Sequence, residues 1–177
     1  MQYYKTPKVR ALSTPEEAKS LEGSTLEKDG KKLIYAKDMK LNPKANLLIP
    51  DQKTGPDAFS RTTHLGIGAH QDDLEFMAYA GVLACYDRTD QWFGGVIMTD
   101  GRSSSRKGPY AGWTDDQIAA ERIKEQHQAA VIGQYSFIAQ LGYLSKEVRP
   151  ANKPSVVGDL LAILMAAQPE VVYLHNP

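Results

Sequence analysis

The sequence predicts an α/β fold with a mostly parallel sheet, because strand and helix patterns alternate between residues 63 and 177. Short apolar runs rich in β-branched and aromatic residues predict the strands, and apolar residues that recur every three or four positions predict the helices. Four predicted strands are separated by three predicted helices in this part of the chain. Such alternation is typical of parallel strands joined by right-handed crossovers. We therefore expect a Rossmann-like three-layer sandwich.

Residues 1–62 are predicted to form an N-terminal extension of unknown role that packs on the main domain. The run Thr14-Pro15-Glu16-Glu17 predicts the start of a short helix. The pair Asp29-Gly30 lies between two segments with apolar residues and predicts a hairpin. Residues 46–49 predict another strand, and the polar segment 50–61, which contains glycine and proline, predicts a connecting loop.

The main domain is predicted to begin with a buried strand over residues 65–69, followed at once by a helix. The apolar positions of that helix recur at helical spacing: Leu74, Met77, Ala78, Gly81, Val82 and Cys85. A second apolar strand is predicted over residues 93–98. A polar loop that contains glycine follows over residues 99–113.

The run Thr114-Asp115-Asp116-Gln117 predicts a second helix with a capping box, and Gly133 ends it. A third strand is predicted over residues 136–141. The third helix, over residues 154–168, has apolar residues that we expect on one buried face: Val157, Leu160, Leu161, Leu164 and Met165. A fourth strand is predicted over residues 171–174.

The composition fits an ordinary soluble globular protein, with 42% hydrophobic residues in 177. Twenty-one basic residues balance twenty-one acidic ones, so no basic field favours nucleic acid or an anionic membrane as a partner. We expect no membrane span and, because residues 1–12 contain no apolar leader, a cytoplasmic location. The single cysteine, Cys85, cannot form an internal disulfide and is interpreted as a core residue.

A histidine and two carboxylates lie between the first strand and the first helix of the main domain. His70 and Asp73 are three residues apart, a spacing that can aim both side chains at one point in the first turn of a helix. A neutral imidazole and a carboxylate are ordinary zinc ligands. Asp72 is then available to take a proton from a metal-bound water. The cluster falls at the carboxyl end of a strand, where sites gather in open α/β sheets.

Two other interpretations of this segment stay open. Asp72 or Asp73 could cap the helix, and Asp72-x-x-Glu75 fits a capping box, although capping and catalysis are compatible. The pair Gly66-x-Gly68 after a strand also fits the start of a dinucleotide-binding fingerprint. Gln71 stands where the third glycine would be needed, and two carboxylates would repel a pyrophosphate. We therefore favour the metal site.

The run Ala69-His70-Gln71-Asp72-Asp73-Leu74-Glu75 resembles the AHPDDxE signature of the PIG-L/LmbE-type zinc deacetylases, with glutamine in place of the proline. The resemblance implies an LmbE-like fold and the removal of an acetyl group from an N-acetylated amino sugar or glycoconjugate. It also implies that His70 and Asp73 bind Zn²⁺, with another divalent metal possible, and that Asp72 is the general base. Glu75 would support the site.

In that family the third zinc ligand comes from a later HxxH-type motif, and no HxxH occurs in the 177 residues. The segment Tyr173-Leu174-His175-Asn176-Pro177 resembles the approach to that motif. We therefore expect residues 63–177 to be the N-terminal part of a deacetylase-like domain whose last ligand lies beyond Pro177. His175 could itself bind metal or substrate.

Further candidate residues follow the second strand and lie on the second helix. Thr99-x-Gly101 resembles a family T-x-G segment whose neighbours face the substrate, which makes Arg102 and Ser103 candidates for substrate binding. The forked guanidinium of Arg102 could hold sugar hydroxyls or a phosphate, although a solvated loop is the alternative. Arg122-x-x-Glu125 resembles a recurrent family pair with a supporting role, and an intrahelical ion pair explains it equally well.

Two histidines, His64 and His127, have no partners at ligand spacing and are interpreted as structural or surface residues. The predicted function is zinc-dependent deacetylation of an N-acetylated sugar. Two functions of other classes remain as alternatives: a non-catalytic carbohydrate-binding relative of the same fold, and a nucleotide-binding Rossmann domain.

Overall fold

A computed structural model describes residues 3–5, 25–28, 31–34, 39–150 and 153–175 of the 177-residue chain. The helix predicted to begin at Thr14 lies outside these residues. The described chain forms eight strands: β1 (Tyr3–Lys5), β2 (Thr25–Lys28), β3 (Lys31–Ile34), β4 (Asn46–Leu48), β5 (His64–Gly68), β6 (Phe93–Thr99), β7 (Phe137–Tyr143) and β8 (Val171–Leu174). It also forms six α-helices: α1 (Gly55–Ser60), α2 (Asp73–Met77), α3 (Tyr79–Cys85), α4 (Asp115–Ile132), α5 (Ser145–Val148) and α6 (Pro154–Ala167).

Six of the described strands form one sheet in the order β1-β8-β5-β6-β7-β4. The four central strands are parallel, and the edge strands β1 and β4 pair antiparallel with β8 and β7. This arrangement confirms the predicted mixed α/β fold with a mostly parallel sheet. Strands β2 and β3 pair antiparallel and confirm the predicted hairpin, whose turn lies outside the described residues.

The strand order reverses at β5, and this reversal positions the candidate site. The chain runs from β5 to β6 to β7 in one direction across the sheet, and β8 then pairs with the other side of β5. In open α/β sheets the two connections at such a point leave on opposite faces and open a crevice at the carboxyl ends of the strands. The residues that follow β5 and β8 therefore meet at one edge of the sheet.

Alternate residues of the strands pack into two separate cores, as the period of two in a strand requires. The α6-side core joins one face of the sheet to α1 and α6; its buried members include Phe59, Leu65, Val96, Phe137, Leu141 and Ile163. The α2-side core joins the other face to α2, α3 and α4; its buried members include Leu74, Ala78, Phe93, Ile97, Ala130 and Ile138. Helices thus cover both faces of the sheet.

The loop predicted over residues 50–61 is wrong in its second half, which forms helix α1. The Thr54 hydroxyl accepts a hydrogen bond from the Asp57 amide as an N-cap, and Pro56 lies in the first turn. Ala58 and Phe59 are buried against the α6-side core. A helix of six residues is too short to show an apolar period in the sequence, so burial rather than patterning determines it.

The helix predicted after β5 is two short helices, α2 and α3, which meet at Ala78. The backbone of Ala78, with φ −111° and ψ 14°, departs from helical geometry. Leu74, Ala78, Val82 and Cys85 nevertheless all pack in the α2-side core. The spacing of the apolar residues therefore predicted which of them are buried, but it did not predict the break between α2 and α3 at Ala78.

Helix α6 confirms the third predicted helix and part of its predicted face, since Leu160 and Leu164 pack against the α6-side core. Val157 and Leu161 are about half exposed, whereas Val156, Asp159 and Ile163 are buried. The short helix α5 was not predicted, whereas α4 confirms the second predicted helix, capping box included. Within the residues described, no helix combines the length and the apolar character needed to cross a membrane.

Candidate active site

A cavity of about 480 Å³ opens beside the carboxyl ends of β5 and β6, next to the first half of α4. It is lined by the predicted motif, by the loop that follows β6 and by one face of α4: His70, Gln71, Asp72, Asp73, Ser103, Ser104, Ser105, Tyr110, Ile118, Glu121, Arg122 and Glu125. Most of these side chains are polar or charged. The cavity is therefore suited to a hydrophilic ligand.

Three of the predicted site residues meet at one carboxylate oxygen, Asp73 Oδ2. The amide of His70 donates a hydrogen bond to it at 2.7 Å, and His70 Nδ1 lies 3.8 Å away from it. His175 Nε2, at the carboxyl end of β8, lies 2.9 Å from the same oxygen. The side chains of His70 and His175 are both about half exposed, so this group faces solvent.

One nitrogen of His175 has two possible partners. Nε2 lies 2.9 Å from Asp73 Oδ2, a contact in which it must donate, and 3.2 Å from the amide nitrogen of Ala69, a contact in which it must accept. It cannot do both at once, so the tautomer of the imidazole decides which bond forms. His175 therefore joins β8 to the motif in either state.

The donor atoms at this edge fit a divalent cation in their chemistry. His70 Nδ1 and Asp73 Oδ2 are 3.8 Å apart, and two ligands on one tetrahedral zinc, each about 2.1 Å from the metal, lie roughly 3 to 4 Å apart. Among the described residues, no three His, Cys, Asp or Glu side chains already form a group that could hold a metal. Metal binding by His70 and Asp73 therefore stays a prediction.

Asp72 has an unusual backbone conformation for a residue with a side chain. Its φ of 68° and ψ of −14° place it in the left-handed region. For residues other than glycine this costs on the order of 1–3 kcal/mol, least for aspartate and asparagine, and it persists only where neighbouring groups enforce it. Such strain is typical of functional sites.

The carboxylate of Asp72 makes no capping bond to α2, so the capping interpretation for this residue is wrong. Its Oδ2 accepts a hydrogen bond of 2.9 Å from Arg122 Nη2, and its side chain is 57% exposed. Glu75 does not reach back to complete a capping box, because its Oε1 accepts bonds from Gln126 and Tyr135. Asp72 therefore faces the cavity and not the helix.

Arg122 connects α4 to the motif. It donates to Glu125 Oε2 at 2.5 Å, to the Gln71 carbonyl at 2.8 Å and to Asp72 Oδ2 at 2.9 Å. Burial lowers the pKa of Arg122, but its contacts with Asp72 and Glu125 outweigh burial and raise that pKa above its ordinary value. The predicted intrahelical pair is present, and the same guanidinium also holds the carboxylate of Asp72.

Gln71, which stands where the family signature has proline, lies buried beneath the cavity. Its side-chain nitrogen donates to the Thr99 carbonyl at 3.2 Å and to Gln140 Oε1 at 3.0 Å. Gln140 in turn donates to the Ile123 carbonyl. A side chain at Gly101, where φ is +72°, would collide with Gln71 Oε1. The amide therefore ties the motif to β6 and β7 and requires glycine in the following loop.

Unpartnered polar atoms concentrate under the cavity. In the described part of the chain, four buried side-chain nitrogen or oxygen atoms lack a hydrogen-bond partner: Gln71 Oε1, Glu75 Oε2, Arg122 Nε and Arg61 Nε. Three of the four belong to the residues just described. Buried polar groups without a partner are rare in proteins, so these three atoms are available to bond to ordered water or to a ligand.

The loop after β6 divides into a part at the cavity and a part away from it. Ser103 lines the cavity, as do the two serines that follow it. Arg102 is not among the lining residues, because its guanidinium pairs with Asp100 at 2.5 Å and with Asp116 at 3.6 Å. The sequence-based substrate role of Arg102 and Ser103 stays a prediction.

His64 and His127 lie outside the cavity. His64 Nδ1 is 3.0 Å from the Thr63 hydroxyl, and His127 Nε2 is 2.6 Å from Asn46 Oδ1. Burial lowers the pKa of both imidazoles, which favours their neutral forms.

Sequence reasoning missed Tyr110, Ile118 and Glu121 on the cavity wall, and Gln126 and Tyr135 beneath it. One signal was available, because positions 118, 121, 122 and 125 recur at three and four and so share one face of α4. No comparable signal marks Gln126 or Tyr135, since their partners lie more than fifty residues earlier in the chain.

Comparison with known proteins gives one finding. The model of a protein family described as PIG-L, GlcNAc-PI de-N-acetylase, matches residues 65–177. That range includes β5 from its second residue, β6 to β8, the motif and every residue that lines the cavity. No curated protein and no solved structure matches the chain significantly.

Proposed function

The chain belongs to the PIG-L family of GlcNAc-PI de-N-acetylases, and we propose that it hydrolyses the acetamide of an N-acetylated amino sugar or its conjugate. The family match supports deacetylase chemistry on a substrate similar to N-acetylglucosamine. The observation that carries the proposal is the meeting of His70, Asp72 and Asp73 on the wall of one polar cavity.

Zn²⁺, or another divalent cation, would be held by His70 and Asp73, with His175 as a further candidate ligand. The support is the imidazole nitrogen and the carboxylate oxygen that lie 3.8 Å apart at the cavity, together with the third donor 2.9 Å from that oxygen. A bound divalent cation would polarise the acetyl carbonyl and make a water molecule easier to deprotonate.

Asp72 is the proposed general base. It takes a proton from the attacking water as the new C–O bond forms, and it returns that proton to the nitrogen as the C–N bond breaks. The products are acetate and a free amine, so no oxidant or further reactant is needed. The Arg122 guanidinium holds Oδ2 of Asp72, while Oδ1 has no hydrogen bond within the described residues and can accept the proton.

The remaining residues that line the cavity would bind the sugar. Ser103, Ser104, Ser105 and Tyr110 offer hydroxyl groups that can both donate and accept hydrogen bonds, and Glu121 and Glu125 offer acceptors. Sugar hydroxyls need both kinds of partner.

We also propose that residues 63–177 belong to a three-layer deacetylase-like domain and that residues 1–62 are an extension. The extension's strands β1 and β4 each add one edge strand to the sheet. Their antiparallel direction, against the parallel direction of β5 to β8, supports their treatment as an addition to the main domain.

Acetate release tests this function. We would incubate the protein with N-acetylglucosamine, its β1,4-linked dimer and GlcNAc-phosphatidylinositol, first after removal of metal with EDTA and then with added Zn²⁺. The proposal predicts acetate release from at least one substrate that EDTA abolishes and Zn²⁺ restores. Binding of a sugar without acetate release under any condition would instead identify a non-catalytic relative and contradict the proposal.

A further inference from the structure

A chain of three hydrogen bonds runs from the backbone of Asp72 into the protein interior. The Asp72 amide donates to Gln126 Oε1 at 2.9 Å, and Gln126 Nε2 donates to Glu75 Oε1 at 2.9 Å. The Tyr135 hydroxyl donates to the same Glu75 oxygen at 2.8 Å. Gln126 and Tyr135 are each only 1% exposed. We call these three residues, Gln126, Glu75 and Tyr135, the Gln126 chain.

The Asp72 amide depends on Gln126 for its partner. The left-handed backbone at Asp72 precedes the first turn of α2, and the first amides of a helix have no partner within the helix. An amide that faces a buried region without an acceptor is strongly unfavourable. The bond to Gln126 therefore stabilises the left-handed backbone conformation of Asp72.

The chemistry of the Gln126 chain requires a primary amide at position 126. One neighbour of that side chain, the Asp72 amide, can only donate, and the other, the Glu75 carboxylate, accepts. Glutamate would offer no donor to Glu75, and methionine would offer neither group. Burial, and then the carboxylate of Glu75, raise the pKa of the Tyr135 hydroxyl, so Tyr135 remains a donor at the other end.

We propose that Gln126 is a positioning residue that fixes the backbone of Asp72 and thereby directs its carboxylate into the cavity. This inference rests on the proposed role of Asp72 as general base. Two residues of α4 act on different parts of Asp72, because Arg122 holds the carboxylate by Oδ2 and Gln126 holds the backbone by the amide. Helix α4 thus orients both halves of the residue.

A set of variants separates this role from general support of the fold. Gln126→Met removes both hydrogen bonds at nearly constant length, and Gln126→Glu keeps the acceptor for Asp72 but places a second carboxylate against Glu75. The double variant Glu75→Gln/Gln126→Glu exchanges the acid and the amide. The bond between positions 126 and 75 can then form again with donor and acceptor reversed, while the Asp72 amide and the Tyr135 hydroxyl still donate as before. Gln128→Met makes the same change on an exposed residue two positions later in α4 and is the matched control.

The first readout is hydrogen exchange of the Asp72 amide in metal-free protein, which needs no enzymatic activity. We expect Gln126→Met to raise the exchange rate of this amide at least about tenfold, because its acceptor is lost. The double variant should return the rate to within about threefold of the wild-type rate, and Gln128→Met should leave it unchanged. Unchanged exchange in Gln126→Met would overturn the proposal.

The second readout is the kinetics of acetate release per folded, zinc-loaded molecule. Because a small displacement of a catalytic group is costly, Gln126→Met should lower kcat at least about tenfold while KM stays within about twofold. The double variant should recover most of that kcat. A restored exchange rate without recovery of kcat, or a loss that appears only in KM, would overturn the positioning role.

The design keeps the two proposals distinguishable. If the wild-type protein releases no acetate, the proposed function fails, whereas the exchange measurement still shows whether Gln126 holds the Asp72 backbone. If Gln126→Met does not fold, the comparison of Gln126→Glu with the double variant decides. Recovery of both the exchange rate and kcat in the double variant supports the proposal, and its absence contradicts it.

Discussion

The α6-side core and the α2-side core lie on opposite faces of the same strands but differ in what fills them. The α6-side core is apolar along its length, with one buried carboxylate, Asp159, whose Oδ2 accepts bonds from the Asn42 amide and the Tyr143 hydroxyl. Near the carboxyl ends of the strands, the α2-side core gives way to three buried amides, Gln71, Gln126 and Gln140, and to the half-buried carboxylate of Glu75.

This contrast separates what stabilises the fold from what positions the site. Apolar burial stabilises the folded chain without regard to direction, whereas buried amides cost free energy unless each finds its own partner. In the α2-side core, such buried amides lie directly beneath His70, Asp72 and Asp73. We therefore expect substitutions on the α6 side to change stability alone, and substitutions beneath the cavity to change the site as well.

The largest expected effect is on turnover and comes from Asp72→Asn. Asparagine keeps the shape, tolerates the left-handed backbone and can still accept the bond from Arg122, but it cannot take a proton. Loss of a general base should lower kcat about 10²- to 10⁴-fold, with little change in melting temperature or in zinc content. The measurement is acetate release beside metal analysis and thermal unfolding. Near-normal turnover would remove Asp72 from its proposed role.

Ile163→Ala should have the largest effect on stability, because Ile163 is completely buried in the α6-side core. Truncation of a fully buried isoleucine typically lowers the free energy of unfolding by about 2–5 kcal/mol. Turnover per folded molecule should be unchanged, since the residue is far in the fold from the cavity wall. Denaturant unfolding measures the loss of stability, and kcat on the same sample measures whether turnover is unchanged. A marked fall in kcat per folded molecule would contradict the claim that substitutions on the α6 side change stability alone.

Gln71→Met should have an intermediate effect on stability, because it leaves Gln140 Oε1 and the Thr99 carbonyl without their donor. An unsatisfied buried polar group costs about 1–3 kcal/mol. The matched control, Gln128→Met on the exposed side of α4, should be close to neutral. Denaturant unfolding of the two variants measures the difference. Equal stability of the two would mean that the amide beneath the motif contributes nothing beyond its volume.

The smallest expected effect is the alkaline contribution of Tyr143 on the α6 side. Burial, and then the hydrogen bond to Asp159, raise the pKa of Tyr143 from 10.0 to about 12. The folded state therefore favours the neutral hydroxyl, so the stabilisation is complete below pH 10 and is lost as pH rises toward 12. Melting temperatures between pH 8 and pH 12 should fall less steeply for Tyr143→Phe than for the wild type. Parallel curves would contradict this assignment.

Apolar patterning predicted the parallel strands of the sheet well, because β5, β6 and β7 are buried on both faces and are rich in apolar residues. Apolar patterning failed at three places in the helices. Helix α1 is too short to show a period, the break at Ala78 leaves the period intact, and Val157 with Leu161 is exposed although apolar. Such features depend on which element packs opposite, which local sequence does not contain.

The site shows the same division. The motif from His70 to Glu75 was recognisable because its chemistry is concentrated in six consecutive residues. Gln126 was not, because a glutamine within a largely polar helix has no distinguishing pattern, and its function depends on the strained backbone of Asp72 fifty-four residues earlier. The proposed ligand-binding residues were therefore easier to identify in the sequence than the residues that contact them from beneath the cavity.

The central claim is that the motif after β5 binds a divalent cation, and calorimetric titration of metal-free protein with Zn²⁺ tests it most directly. The comparison is between the wild type, His70→Ala and His127→Ala, which removes a histidine that lies outside the cavity. We expect the wild type and His127→Ala to bind one Zn²⁺ per chain with equal affinity and His70→Ala to bind at least about tenfold more weakly. Equal binding by His70→Ala, or no binding by the wild type, would contradict the claim.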